Sequence, residues 1–298
     1  MEFLYTRQQM EGFKGYQHRV KIGNWSEDME LEAGRLKDFL LKKERGQLAS
    51  TKAEQRFSHA LKPAELRPRY DDSFVHFGDT VMLFNQATDG CLACDPEEAL
   101  SEESFAVTTT WYTEPCSRNT FEICQWTGKG DKKDAMFDFR DDVVHFGQKI
   151  QLRCSAALVP AQPLLVSMPK TLTSFSRYSR NQEVAMRARS DWSSVWEVQY
   201  LDPQYKMEME GQAVPTNAPV ALVHCATFQH LASDAVKYRN DFGTEYEAFC
   251  KSFNEIQKGQ MGVRERRMLG DCNRWCFVSG IPSADGGAGP PGAGDDGA

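Results

Sequence analysis

The strongest constraint on how this chain folds is a segment that occurs twice. Asp72-Ser-Phe-Val-His-Phe-Gly-Asp-Thr-Val-Met-Leu83 is followed sixty-nine positions later by Asp141-Asp-Val-Val-His-Phe-Gly-Gln-Lys-Ile-Gln-Leu152. With 6 His, 18 Phe and 22 Gly in 298 residues, random order yields only about 0.03 His-Phe-Gly triplets, so two mark an internal duplication. The flanks agree: Phe74 answers Val143, Val81 answers Ile150 and Leu83 answers Leu152. The closing apolar-polar-apolar alternation predicts a strand with one buried face.

A third copy has lost the triplet but keeps the register. Val81, Leu83, Thr88, Leu92 and Asp95 correspond at one constant offset to Val220, Leu222, Thr227, Leu231 and Asp234. Each unit also ends in an aromatic-x-apolar strand: Phe121-Glu-Ile123, Trp196-Glu-Val198 and Trp275-Cys-Phe277. Three repeats of about seventy residues, each supplying about four strands, predict an all-β protein whose closed solution is a β-trefoil. An open solenoid would need capping repeats, and none is visible. The lobes are expected at about 71–140, 141–212 and 213–282. The longest insertion is placed at Val236 to Asp271, where Asp241-Phe-Gly-Thr-Glu-Tyr-Glu-Ala-Phe-Cys-Lys251 reads as too charged for a core strand.

Before the repeats, residues 1–70 read as an arm with a helix. Ser26 suits an N-cap, Glu27 and Asp28 suit a first turn, and Leu31, Leu36, Phe39 and Leu40 follow at helical intervals before the basic end and Gly46. A second helix is expected from about Ser50 to Leu61, ended by Pro63, with a short stiff linker beyond it. Residues 283–298, rich in Gly, Pro and Asp, have nothing to bury and are expected to be disordered.

Composition narrows the function classes. The net charge is −7, and residues 1–69 hold 14 Lys+Arg against 10 Asp+Glu, leaving 21 against 32 for the rest, so nucleic acid is not an expected partner of the acidic body. No run of about eighteen apolar residues or secretory leader is visible, which leads to the expectation of a cytoplasmic protein without membrane association. The odd count of nine cysteines without scaffold spacing suits free thiols. Cys91-x-x-Cys94 with Cys272-x-x-x-Cys276 has the makings of a four-thiolate zinc site. However, Cys276 between Trp275 and Phe277 faces away from the core if those aromatics face in. His76, His145, His224 and His230 match no nucleophile pattern and are expected at strand ends. No phosphate loop, catalytic constellation or cofactor motif is present, so the chain reads as non-enzymatic. A lectin-like or small-ligand-binding soluble trefoil is the alternative, although Trp111, Trp126 and Trp192 do not recur from lobe to lobe.

Val20-Lys-Ile-Gly-Asn-Trp-Ser-Glu-Asp28, Val75-His-Phe-Gly-Asp-Thr-Val-Met-Leu83, Arg118-Asn-Thr-Phe121, Glu210-Gly-Gln-Ala-Val-Pro-Thr-Asn217, Phe242-Gly-Thr-Glu-Tyr-Glu247 and Asn273-x-Trp-x-x-Val-Ser-Gly-x-Pro282 together resemble the cilia- and flagella-associated protein 161 family. The resemblance implies a MIR-like β-trefoil with no catalytic residues, cofactor or metal. It further implies a microtubule inner protein on the luminal wall of the A-tubule of ciliary doublet microtubules, where it stabilises the axoneme for motility. Its partners would be α/β-tubulin and other inner proteins. Asn24, Trp25, Glu27 and Asp28 are the partner-binding candidates; Trp25 is either buried against the trefoil or an interface anchor.

Overall fold

The computed structural model describes residues 25–70, 72–101, 103–126, 141–257 and 266–280. It divides into two compact units, Met1–Arg56 and Phe57–Ala298.

The first unit contains α1 (Trp25–Glu44) and most of α2 (Ala49–Ala60). Ser26 lies inside the first turn of α1, because the helix already includes Trp25. The far end follows expectation. Gly46 takes φ +63°, Gly46 N–H donates to Lys43 O and Gln47 N–H to Lys42 O, which satisfies the last carbonyls in a Schellman motif.

The second unit is built from β1 (Thr80–Asn85), β2 (Gly90–Ser101), β3 (Ser104–Thr110), β4 (Phe121–Gln125), β5 (Lys149–Cys154), β6 (Leu164–Ser167), β7 (Gln182–Arg187), β8 (Trp196–Gln199), β9 (Pro219–His224), β10 (Gln229–Asn240), β11 (Gly243–Cys250), β12 (Asn254–Gln257), β13 (Arg266–Leu269) and β14 (Trp275–Val278). Strands β1, β4, β5, β8, β9 and β14 pair in that order, and β14 returns to β1, closing an antiparallel barrel. Six of the other strands form three hairpins, β2–β3, β6–β7 and β10–β11, and β12 pairs with β13 alone. Contacts β3–β7, β7–β11 and β11–β3 join these hairpins in a triangle over one end of the barrel. A closed barrel with a triangular cap, each lobe giving two strands to either part, is a β-trefoil.

The barrel filling shows why the repeat imposes closure. Val81 pairs with Phe121, Ile150 with Trp196 and Val220 with Trp275. Leu83 pairs with Phe277, Ile123 with Leu152 and Val198 with Leu222. All twelve side chains are fully buried, each pair contributed by neighbouring strands, so every lobe supplies the same rungs. Burial of each is worth about 1.5–3 kcal/mol. Trp196 Nε1–H donates to Leu165 O at 2.8 Å and Trp275 Nε1–H to Leu231 O at 3.0 Å, which ties barrel to hairpin in lobes two and three. Phe121 occupies this position in lobe one and has no donor.

The His-Phe-Gly turns close the other end. Val75 N–H donates to Val214 O, Val214 N–H to Val144 O and Val144 N–H to Val75 O, a cyclic set linking the three lobes. Gly78 and Gly147 follow at φ +89° and +85°, and their N–H groups donate to Ile123 O and Val198 O. The third lobe makes the same turn with Pro215-Thr216-Asn217: Asn217 sits at φ +59° and its N–H donates to Phe277 O. Asparagine tolerates the left-handed region, so the motif could be lost there without losing the turn.

The segment 241–251 corrects the sequence reading, since Gly243–Cys250 is cap strand β11, with Ala248, Phe249 and Cys250 buried. The two carboxylates of β11, Glu245 and Glu247, are tolerated because each has fixed partners, described below. The part of lobe three without counterpart is instead the separate β12–β13 ribbon. Residues 60–70 lie along lobe one as a strap. Pro63 bridges Cys116, Thr80 N–H donates to Arg67 O, and Arg69 N–H donates to Asp79 Oδ1 at 2.7 Å. The tail 283–298 lies outside the described residues.

Candidate docking surface

Buried polar groups are where chemistry would first be sought, and here they join lobes or fix turns within them. His224 Nε2 lies 3.0 Å from Ser193 O and Nδ1 2.8 Å from the Thr227 hydroxyl, so the ring donates to the carbonyl and accepts from the hydroxyl. Asn85 does the same work one lobe away: its amide donates to Cys272 O, and its oxygen accepts from the Thr88 hydroxyl. Burial holds the His224 pKa below its ordinary value, and burial together with Lys206 lowers His230 to about 4. His230 Nδ1 meets the Ser252 hydroxyl at 2.7 Å. His76 is buried with Nε2 3.2 Å from Asp72, and His145 has Nε2 3.6 Å from Asp141. Both are locked at the same turn of their lobes.

Glu245 and Glu247 alternate with core residues on β11. Arg118, in the loop before β4, grips Glu245 with two bonds of 2.7 and 3.0 Å, while Thr108 and Asn240 each donate to it at 2.6 Å. Burial pushes the Glu245 carboxyl up, but the Arg118 bonds outweigh it and hold the pKa below the usual range. The guanidinium also lies 3.8 Å from the Phe242 ring centre. Glu247 accepts the N–H groups of Tyr178 and Ser179, both at 2.8 Å. Sequence reasoning missed these partners because both lie over sixty residues away. A cavity of about 10 Å³ among Val107, Val184, Ala248, Glu183 and Glu247 under the cap has room for about one water molecule.

The thiols are dispersed. Cys91 and Cys94 are three positions apart on one strand and so face opposite sides. Cys91 and Cys276 both pair with Phe84, whereas Cys94 meets Cys154 in the core. The structure therefore does not bring together the four thiols weighed above as a zinc set, and no group of three or more metal-ligating side chains occurs among the described residues. Burial with Cys116 nearby pushes Cys91 to about 12, and burial raises Cys250 to about 12, so these thiols stay protonated near neutrality.

What remains for contact lies on the surface. Trp111, Trp192, Phe228 and Leu172 are 67%, 50%, 76% and 97% exposed. Trp111 follows β3 and Trp192 precedes β8, positions unrelated by the threefold repeat, so these two exposed tryptophans are not equivalent sites of two lobes. Phe228 stands at φ +55°, a conformation costly for a bulky residue, at the position of Asp89 in lobe one with φ +47°. Of the arm candidates, Trp25 and Glu27 lie in the first turn of α1, Asp28 is exposed on it, and Asn24 lies outside the described residues. Trp126 lies just beyond β4 and is half-buried. No described helix is long and apolar enough to cross a membrane.

Comparison with known proteins follows from this description. A family model described as the cilia- and flagella-associated protein 161-like domain matches residues 52–262. A zebrafish (Danio rerio) protein named cilia- and flagella-associated protein 161 is 31% identical over 92% of this chain and 91% of its own. Its bovine (Bos taurus) namesake is 28% identical over 91% and 84%. Among solved structures, the crystal structure of the SDF2-like protein from Arabidopsis thaliana aligns with a TM-score of 0.48 at 18% identity, over 69% of this chain and 94% of that one. With its repeat carried over most of its length and its relatives matched nearly end to end, this chain belongs to the cilia- and flagella-associated protein 161-like family.

Proposed function

We propose that the chain is a non-enzymatic structural protein of cilia and flagella. In this reading it binds tubulin on the luminal wall of the A-tubule of doublet microtubules, beside other inner proteins, and stabilises the axoneme for motility. The observation that carries this reading is the likeness, over about nine-tenths of the chain, to proteins named for association with cilia and flagella. Two physical features support it. The buried polar groups described either join lobes, as His224, Asn85, Glu245 and Glu247 do, or fix a turn within one, as His76 and His145 do, which suits a body of fixed shape. The helix α1, with Leu36, Phe39 and Leu40 about half exposed, offers apolar contact area. Many copies along a polymer give avidity, so a weak single contact suffices.

The test is fractionation of axonemes carrying the tagged chain. Retention through a strong salt wash, with release only when the doublets themselves are opened, is the expected result. Release in mild salt would contradict a luminal position.

A further inference from the structure

We propose that α1 is a self-association element, pairing antiparallel with α1 of a second copy of this chain. The inference does not depend on tubulin binding. In α1, Leu31, Leu36, Phe39, Leu40 and Leu41 are each 47% to 59% exposed. Leu36, Phe39 and Leu40 share a stripe with Met29 and Ala33 at helical spacing. Most of the stability of a helix in a protein comes from covering such a stripe, and this one runs along a helix of 20 residues, about 30 Å long.

The charges select the cover. The first half of α1 holds Glu27, Asp28, Glu30 and Glu32 and no base, whereas the second holds Arg35, Lys37, Lys42 and Lys43 against Asp38 and Glu44. An acidic partner surface would be repelled by the first half and a basic one by the second. A parallel copy would set acid on acid. An antiparallel copy sets the acidic half of each helix against the net-basic half of the other: in the register that places Glu30 opposite Lys43, Ala33 faces Leu40, Asp28 faces Arg45 and Arg35 faces Asp38. The same polarity offsets the helix's own dipole, so folding and pairing favour the same sequence. Lys42 is engaged with Asp38 at 2.7 Å, but both are more than half exposed and that bridge holds little. The contact is an isologous twofold. A single helix pair falls below the about 1,200 Å² of a standard interface, so the association is expected to be weak and to need a concentrated sample to be seen.

Sedimentation equilibrium of the full chain from about 5 to about 300 μM at low salt is expected to show the mass rising from 33.7 kDa toward twice that value. Leu36→Ala/Phe39→Ala/Leu40→Ala keeps strong helix formers yet should abolish the rise, while near-ultraviolet circular dichroism of the trefoil stays unchanged. Zero-length carboxylate–amine cross-linking of mixed light and heavy-isotope copies should give intermolecular links between Glu30 and Lys42 or Lys43. A monomer at every concentration, as when α1 folds back on its own chain or has tubulin as its only partner, would overturn the proposal. So would association that survives the triple variant, or intermolecular links confined to the trefoil.

Discussion

Removing Arg118 tests whether the buried charge on β11 is what joins lobes one and three. Arg118 and Glu245 are 2% and 1% exposed, and their two bonds are supplemented by the Phe242 ring at 3.8 Å. In Arg118→Met, Glu245 keeps only the neutral donors Thr108 and Asn240. Stranding a buried charge costs about 3–5 kcal/mol, and the lost cation–π contact adds about 0.5–2. A loss of about 4 kcal/mol lowers the Tm of a domain this size by about 8–16 °C. In Arg118→Met/Glu245→Leu nothing charged is left behind, so most of that loss should return. The sign with pH is fixed as well. The folded pKa of Glu245 is lowered, so its contribution is present above the ordinary carboxylate pKa and is lost as pH falls through the folded value. The gap between wild type and Arg118→Met should therefore narrow in acid. Calorimetry of wild type, both singles and the double gives the cycle. A single-variant loss below about 1 kcal/mol, or a double no more stable than Arg118→Met, would refute the reasoning.

Other consequences follow from the lobe equivalences. His224→Asn should be nearly neutral, because Asn85 performs the same role, whereas His224→Ala should cost about 1–3 kcal/mol in chemical denaturation. Trp196→Phe copies lobe one and leaves Leu165 O without its donor, so a loss of about 1–3 kcal/mol is expected. Gly90→Ala should be among the most damaging small changes, since its Cβ would meet Thr110 O at 2.6 Å; Gly34→Ala, with nothing within 4 Å, should be stabilising or neutral by thermal melting. His230 is lowered from 6.5 to about 4, so the unfolded chain takes up a proton first and stability should decline as pH falls from about 6.5 toward 4; His230→Gln should flatten that decline.

Much of this fold was written in short strings of the sequence. Val81-x-Leu83, Ile150-x-Leu152 and Val220-x-Leu222 alternate because each lines one barrel, and the aromatic partners Phe121, Trp196 and Trp275 follow from the same closure. The third His-Phe-Gly position was not legible, because Pro215-Thr216-Asn217 makes the turn with different side chains. Strand β11 was misread because a carboxylate such as Glu245 is compatible with a core only through Arg118, 127 residues away, and sequence order does not display that pairing. The proposed contact residues are less legible still: candidates such as Trp25 or Asp28 follow no spacing rule comparable to a metal or nucleophile motif, because exposure and complementarity leave none in a sequence.

The most direct measurement of the central claim is a cryo-electron microscopy map of doublet microtubules from cilia with and without this chain. A density with threefold outline is expected on the inner wall of the A-tubule, and it should disappear when the chain is absent. An unchanged lumen, or a lost density lying on the outer surface, would contradict that claim.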